Sequence, residues 1–234
     1  MNETLADHRG LDIDRWLDAY SGGEPVGKAE VFSAVSDRLA SLLPGYRYLR
    51  TKGTFHLSDE TADQYIVLER GKGILSLRFG LTHHAVERTR EALFGPMTVH
   101  LRHTPLTVSM YTANMGPHSP GWHLPYRVQW PILGRVGLSV AIPEISAFVV
   151  ETALPYLLLH RSPEAIRDTY VLTPRRADVY LLSEQIVFAI DQMLGNWSRV
   201  ESDRDALLAQ RGSLEDRRRV EDAFAIVQRA RNAA

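Results

Sequence analysis

Hydrophobic and polar positions alternate most clearly between Tyr46 and Leu81, YRYLRTKGTFHLSDETADQYIVLERGKGILSLRFGL. In its last part Leu75, Leu77, Phe79 and Leu81 fall on one face and Ser76, Arg78 and Gly80 on the other, the period of two of a half-buried strand. Gly71-Lys72-Gly73 is short and glycine-rich, so it joins this strand to Gln64–Arg70 as a hairpin. Tyr46–Arg50 and Thr54–Leu57 read as two further strands separated by a Thr51-Lys52-Gly53 kink, and the polar segment Ser58–Asp63 as a turn. The alternation returns in Thr98–His103, Leu106–Thr112, Tyr126–Trp130 and Val136–Ile142, which extends the expected sheet to six or seven strands. Leu77, Phe79, Val99, Leu101, Val108 and Val128 are the positions this pattern buries beneath helices. Asn114–Pro125 carries three prolines and two glycines, cannot hold a ladder, and reads as a loop.

The remaining segments carry the helical period. Leu11, Ile13, Trp16, Leu17 and Tyr20 predict a short docking helix, and Val31, Phe32, Val35, Leu39, Leu42 and Leu43 a helix over Lys28–Leu43 that packs on the sheet. Val86, Arg90, Leu93 and Phe94 predict a short exposed helix, ended by Gly95-Pro96. Pro143 suits the first turn of a helix that continues through Ile145, Phe148, Val149, Thr152, Tyr156 and Leu159, with a kink at Pro155. Ser162-Pro163-Glu164 is a cap followed by a first-turn proline. A helix over Val179–Leu194 is apolar around most of its girth and needs cover on two sides. Ser198–Glu201 has the form of a capping box, and Ser213 opens a final helix with Val220, Phe224 and Val227 on one face. The fold class is therefore α+β, an antiparallel meander sheet with one face covered by helices, followed by a helical C-terminal portion. Residues 1–195 form the expected sheet domain and 196–234 a peripheral charged helical part. Self-association as a homodimer through the helices Val179–Leu194 and Leu214–Ala230 competes with intramolecular pairing of the two.

Composition narrows the functional classes. The 234 residues carry a net charge of −1, so no global field recruits nucleic acid or an acidic membrane surface. Absence of cysteine removes disulfides, thiol nucleophiles, thiolate zinc sites and iron–sulfur ligation. The start, MNETLADHRG, lacks the basic and apolar regions of a secretory signal, and Ile145–Leu159 is interrupted by Glu151 and Pro155, so a cytoplasmic location without a membrane span is expected. Lys28, Lys52 and Lys72 are the only lysines, against many arginines.

The order of a helix, YRYLRTKGTFHL, QYIVLER, ILSLRFGLTH, RVQWPIL and ALPYLLLHRSPEAI over Val31 to Tyr170 resembles a bacterial α+β family of unassigned function. In that family a helix precedes a strand of the form Gly-Phe-basic-Thr-Phe, and Tyr46 stands here where members often carry phenylalanine. The resemblance implies a fold and brings no activity with it.

Candidate chemistry is sparse. His83, His84, His100, His103, His118 and His123 cluster in sequence, but His100 and His103 point to opposite faces of a strand, and neither HExxH nor a cysteine accompanies them. No metal and no cofactor is expected. Ser119, Ser139 and Ser162 lack a nucleophile elbow, and Gly71-Lys72-Gly73 is no phosphate loop because GxxxxGK[ST] is absent. The outward strand positions are more informative: Thr54 and His56, Ser76 and Arg78, His100 and Arg102, Thr107, Ser109 and Tyr111, Arg127 and Gln129. Of these His56, Arg78, His100, Arg102, Tyr111, Arg127 and Gln129 form the expected ligand-binding set, a donor-rich face suited to a small anionic ligand or an acidic protein partner. A non-catalytic binding protein is the leading reading. The alternatives are a hydrolase built on the histidine-rich loop and a nucleic-acid accessory factor using the arginine face.

Overall fold

The computed structural model describes residues 22–96, 107–111, 129–172, 183–211 and 213–233. In chain order these form α1 (Lys28–Ala40), β1 (Arg47–Leu49), a single 3-10 turn (Arg50–Lys52), β2 (Thr54–Ser58), β3 (Ala62–Gly71), β4 (Ile74–His83), α2 (His84–Phe94), β5 (Val108–Tyr111), β6 (Trp130–Pro131), α3 (Arg135–Phe148), a π-helical turn (Val149–Ala153), α4 (Leu154–Leu159), α5 (Pro163–Val171), α6 (Ser183–Met193), α7 (Trp197–Gln210) and α8 (Leu214–Ala233). The strands make one sheet in the order β1-β2-β3-β4-β5, with β6 paired antiparallel to the start of β4 through Ile74↔Pro131 and Leu75↔Trp130. An α+β fold with an antiparallel sheet and a helical C-terminal part is what the alternation implied. The β3–β4 hairpin turns through Lys72 and Gly73, both with positive φ (51° and 80°), the signature of a two-residue type I′ loop.

The described residues cluster into two compact units, each of which takes part of β3 and β4: one holds 22–57, 65–79, 111 and 129–156, the other 58–64, 80–96, 107–110, 157–172, 183–211 and 213–233. In the first unit Ile66, Leu68, Leu75, Leu77 and Phe79 are buried together with Val31, Val35 and Leu39 of α1, and α1 packs on α3. Phe79 meets Phe148 and Tyr156 edge-on at 5.8 and 5.3 Å, and Trp130 meets Phe148 at 5.8 Å. Edge-to-face stacking of this kind adds to the area the rings bury. Leu77, Phe79 and Val108 are fully buried as their alternation required, while Val99, Leu101 and Val128 lie outside the described residues. The same holds for the expected helix at Leu11–Tyr20, the strand Thr98–His103, the loop Asn114–Pro125 and the beginnings of the segments at Tyr126 and Val179.

Two expectations are corrected. Val136–Ile142 is helix, so Pro143 sits inside α3 and not at its start. Leu138, Ala141, Ile145 and Phe148 are buried at a spacing of three and four, while Val136 and Val140 are exposed; the apparent alternation was a helical stripe read at half its length. The expected kink at Pro155 is taken up by the π-helical turn just before it, a common way to absorb a missing backbone donor. Among the described residues Arg135–Leu159 is the one helix long and apolar enough to cross a membrane, with half of its most apolar window buried inside the protein.

In the second unit α6 is the hub, packed against α2, α5, α7 and α8. Residues Ile186 to Ile190 are all buried, so the apolar girth is covered within the chain. Of the expected seam of α8, Val220 and Val227 are buried and Phe224 is half-buried, and α8 packs on α6 within the chain. The second correction concerns α2, expected to be exposed: Val86 and Arg90 are buried where it packs on α6 and α8. Its cap is His83, whose Nδ1 accepts the Val86 N–H. Ser162 and Ser213 cap α5 and α8 as their sequences implied, whereas α7 begins at Trp197 after Asn196, one residue ahead of the expected capping box at Ser198.

Candidate functional site

Of the expected sheet-face set, the described side chains are those of His56, Arg78 and Gln129. His56 on β2 is half-buried with its ring stacked on Tyr65 at 4.8 Å, Arg78 on β4 stands 3.4 Å from Glu69, and Gln129 is half-buried just before β6. Tyr111 ends β5, while His100, Arg102 and Arg127 lie outside the described residues. The small polar neighbours Thr54, Ser76, Thr107 and Ser109, read as outward, are buried. Two of them serve the backbone: the Thr54 hydroxyl donates to the Lys52 carbonyl, and Thr107 Oγ1 accepts the His83 N–H while donating to Glu87.

A different concavity in the first unit holds the charge. It is an open groove of about 930 Å³ lined on one side by Lys28, Ala29, Phe32, Ser33 and Ser36 of α1. Opposite stand Tyr48, Arg50, Thr51, Lys52 and Gly53 of the β1–β2 connection, with Val67, Leu68, Glu69 and Arg70 of β3. Local sequence builds each wall. Lys28, Phe32 and Ser36 recur at intervals of four on α1 and so share a face. The 3-10 turn Arg50–Lys52 is closed by Gly53 with φ +59°, and its N–H bonds the Arg50 carbonyl. A Cβ on Gly53 would stand 2.8 Å from the Phe32 ring and 3.2 Å from the Leu68 carbonyl, so glycine is what lets the basic turn approach α1. The Gly53 carbonyl then accepts the Leu68 N–H, anchoring the turn to β3.

Four cations line this groove: Lys28, Arg50, Lys52 and Arg70. Lys28 Nζ lies 5.2 Å over the Phe32 ring, a cation–π contact that leaves its charge uncompensated by an anion. Arg70 donates to the Val26 carbonyl at 3.3 and 3.2 Å and to the Ile132 carbonyl at 2.7 Å, neutral partners that orient the guanidinium. Among the described residues none of the four stands within ion-pair distance of a carboxylate, and the one acid in the lining, Glu69, is engaged by Arg78. Glu24 and Glu30, beside the start of α1, are drawn to Arg135 at 3.3 and 3.2 Å. In the sequence Thr51-Lys52-Gly53 reads only as a kink. The available signal was that two of the chain's three lysines, Lys28 and Lys52, flank one helix-to-hairpin unit.

The second unit treats charge differently. Arg167 is buried and makes a two-pronged contact with Asp203, at 2.7 Å through Nε and 2.5 Å through Nη2, and its Nε lies 3.3 Å from Asp191. Asp191 has no exposed surface, and among the described residues neither of its carboxyl oxygens has a hydrogen-bond partner. Burial, reinforced by the charge of Asp203, pushes its pKa up to about 8 despite Arg167. Glu184, buried beside Arg211 and Arg219, is also shifted upward, chiefly by burial. Arg90 is enclosed with Glu87 at 2.8 Å.

The described histidines are occupied structurally: His83 caps α2 with its protonation disfavoured by burial, His84 spans the Glu60 carbonyl and Asp63, and buried His160 bonds Thr169 at 2.7 Å. Asp59 closes the β2–β3 turn by accepting the Thr61 and Ala62 N–H groups, and its bond from Arg161 is the main reason its pKa falls to about 2. Among the described residues no group of three or more histidine, aspartate or glutamate side chains is placed to hold a metal ion.

Fold and groove together define the class: an α+β protein with an antiparallel sheet and a cationic groove between a helix and a hairpin connection. No family model, no curated protein and no solved structure matches the chain.

Proposed function

We propose that this protein is a binding protein for small organic anions, held in the groove between α1 and the β1–β2 connection. The observation that carries this reading is the convergence of Lys28, Arg50, Lys52 and Arg70 on one concavity without a carboxylate partner among the described residues. A structural role for these charges would call for acids beside them, because uncompensated like charges repel. The volume of about 930 Å³ lies in the range of sites that hold small organic ligands. With a net charge of −1, the chain as a whole offers no attraction for anions, so selectivity falls to the groove. Arg78 of the originally expected set contributes indirectly, by engaging Glu69 at 3.4 Å and so offsetting the one negative charge in the lining.

Calorimetric titration of the full chain with a panel of small phosphorylated and carboxylated compounds tests the reading. Saturable binding that weakens with added salt, and at least tenfold in a Lys28→Gln/Lys52→Gln variant that melts like the parent, is the expected result. Absence of binding across the panel, or equal binding by the variant, refutes it.

A further inference from the structure

We infer that the ligand of this groove is an organic ester of di- or triphosphate, its phosphates lying along the basic turn and its uncharged body against the apolar part of the lining. This deepens the anion-binding reading and rests on it. Charge number is the first argument. Four cations line the groove and Arg78 engages the one acid among its described lining, so a monoanion leaves most of the positive charge unmatched, whereas a di- or triphosphate brings several negative charges to it.

Distribution is the second argument. The cations come from separate places: Lys28 from the first turn of α1, Arg50 and Lys52 from the opposite wall, Arg70 from the end of β3. The α1 wall from Lys28 to Ser36 is about 12 Å long at the helical rise, longer than one compact anion requires. Charges spread over such a length suit a ligand whose charge is itself divided among linked groups.

Donor chemistry is the third. The Ser36 hydroxyl donates to the Ser33 carbonyl and the Ser33 hydroxyl faces Asp37, whereas the hydroxyls of Thr51 and Tyr48 bond no other side chain or carbonyl among the described residues. Thr51 lies between Arg50 and Lys52, so a hydroxyl donor sits within the basic turn. Phosphoryl oxygens accept from hydroxyl, ammonium and guanidinium donors together, and the guanidinium fork suits them in particular. The remaining lining, Ala29, Phe32, Val67 and Leu68, is apolar and provides for a body without charge. Inorganic phosphate alone would leave much of the roughly 930 Å³ unfilled.

The test titrates the full chain at constant ionic strength, without divalent cations, with adenosine triphosphate, inorganic pyrophosphate, inorganic phosphate and citrate. The expected order places the triphosphate ester at least tenfold tighter than citrate or inorganic phosphate and tighter than pyrophosphate. An Arg50→Gln/Lys52→Gln variant should lose at least tenfold for the triphosphate while keeping the parent's melting temperature and circular dichroism. If citrate binds as tightly as the triphosphate, the phosphate assignment is overturned while the anion-binding reading survives. Pyrophosphate binding as tightly as the ester overturns the role given to the apolar lining. No binding by any of the four refutes both the inference and its premise. Triphosphate binding unchanged in the folded variant places the ligand elsewhere and overturns the inference.

Discussion

In the helical unit Arg90, Arg167 and Arg211 reach inward and each ends on a carboxylate, whereas Lys28, Arg50, Lys52 and Arg70 along the groove have none within ion-pair distance among the described residues. The difference follows from solvation. A guanidinium removed from water must recover its lost hydration from partners in fixed positions, so each buried arginine is matched by an acid brought from another turn or helix. Cations bordering an open groove keep part of their water and need no carboxylate partner; Arg70 is held by backbone carbonyls alone. Pairing in the helical unit therefore reports stability, and its absence along the groove is the observation on which the proposed anion site rests.

Four measurements break or sharpen this contrast. The largest effect belongs to Arg167→Met, which strands Asp203 in the interior and should cost about 3–5 kcal/mol in chemical denaturation. Adding Asp203→Leu to it should restore much of the loss, since an apolar pair of similar volume avoids the desolvation penalty. No recovery would mean that the cluster does more than hold helices together.

The next effect is one of pH. Asp191 keeps its proton to about 8 in the folded chain, against 3.8 as its ordinary value, so between these limits the folded state binds more protons than the unfolded one. Its contribution to stability is therefore fully present below pH 3.8 and is lost as pH rises through 8, at up to about 1.4 kcal/mol per pH unit. Urea denaturation from pH 5 to 9 should show this decline, and Asp191→Asn should flatten it. An unchanged slope in that variant would show that the carboxyl is ionised throughout.

Gly53→Ala comes third. Its positive φ costs an L-residue about 1–2 kcal/mol, and the added methyl must displace Phe32 or the turn, so stability and anion binding should fall together. The smallest effect on stability is expected of Lys28→Gln and Lys52→Gln, each within about 0.5 kcal/mol, because both side chains are exposed and unpaired among the described residues. A marked loss of stability there would turn the groove cations into structural groups and remove the contrast.

The sequence by itself determined what depends on local periodicity. The β3–β4 hairpin, the buried row Leu75, Leu77 and Phe79, the stripe of α1, and the caps at Ser162 and Ser213 follow from alternation, helical spacing and turn chemistry, all expressed within a few residues. Val136–Ile142 escaped because a short apolar run satisfies both periods, and only burial of Leu138, Ala141 and Ile145 on one side selects the helix. Tertiary structure alone decided the fate of charge. Arg90 meets Glu87 one turn away on its own helix, but nothing local distinguishes Arg167, which is buried and paired, from Arg50, which borders the groove. Asp203, the partner of Arg167, lies 36 residues away, and the groove itself exists only where Gly53 brings a hairpin connection against α1. Electrostatic role is set by distances between segments remote in sequence and by access to water, and both arise only when the chain closes on itself.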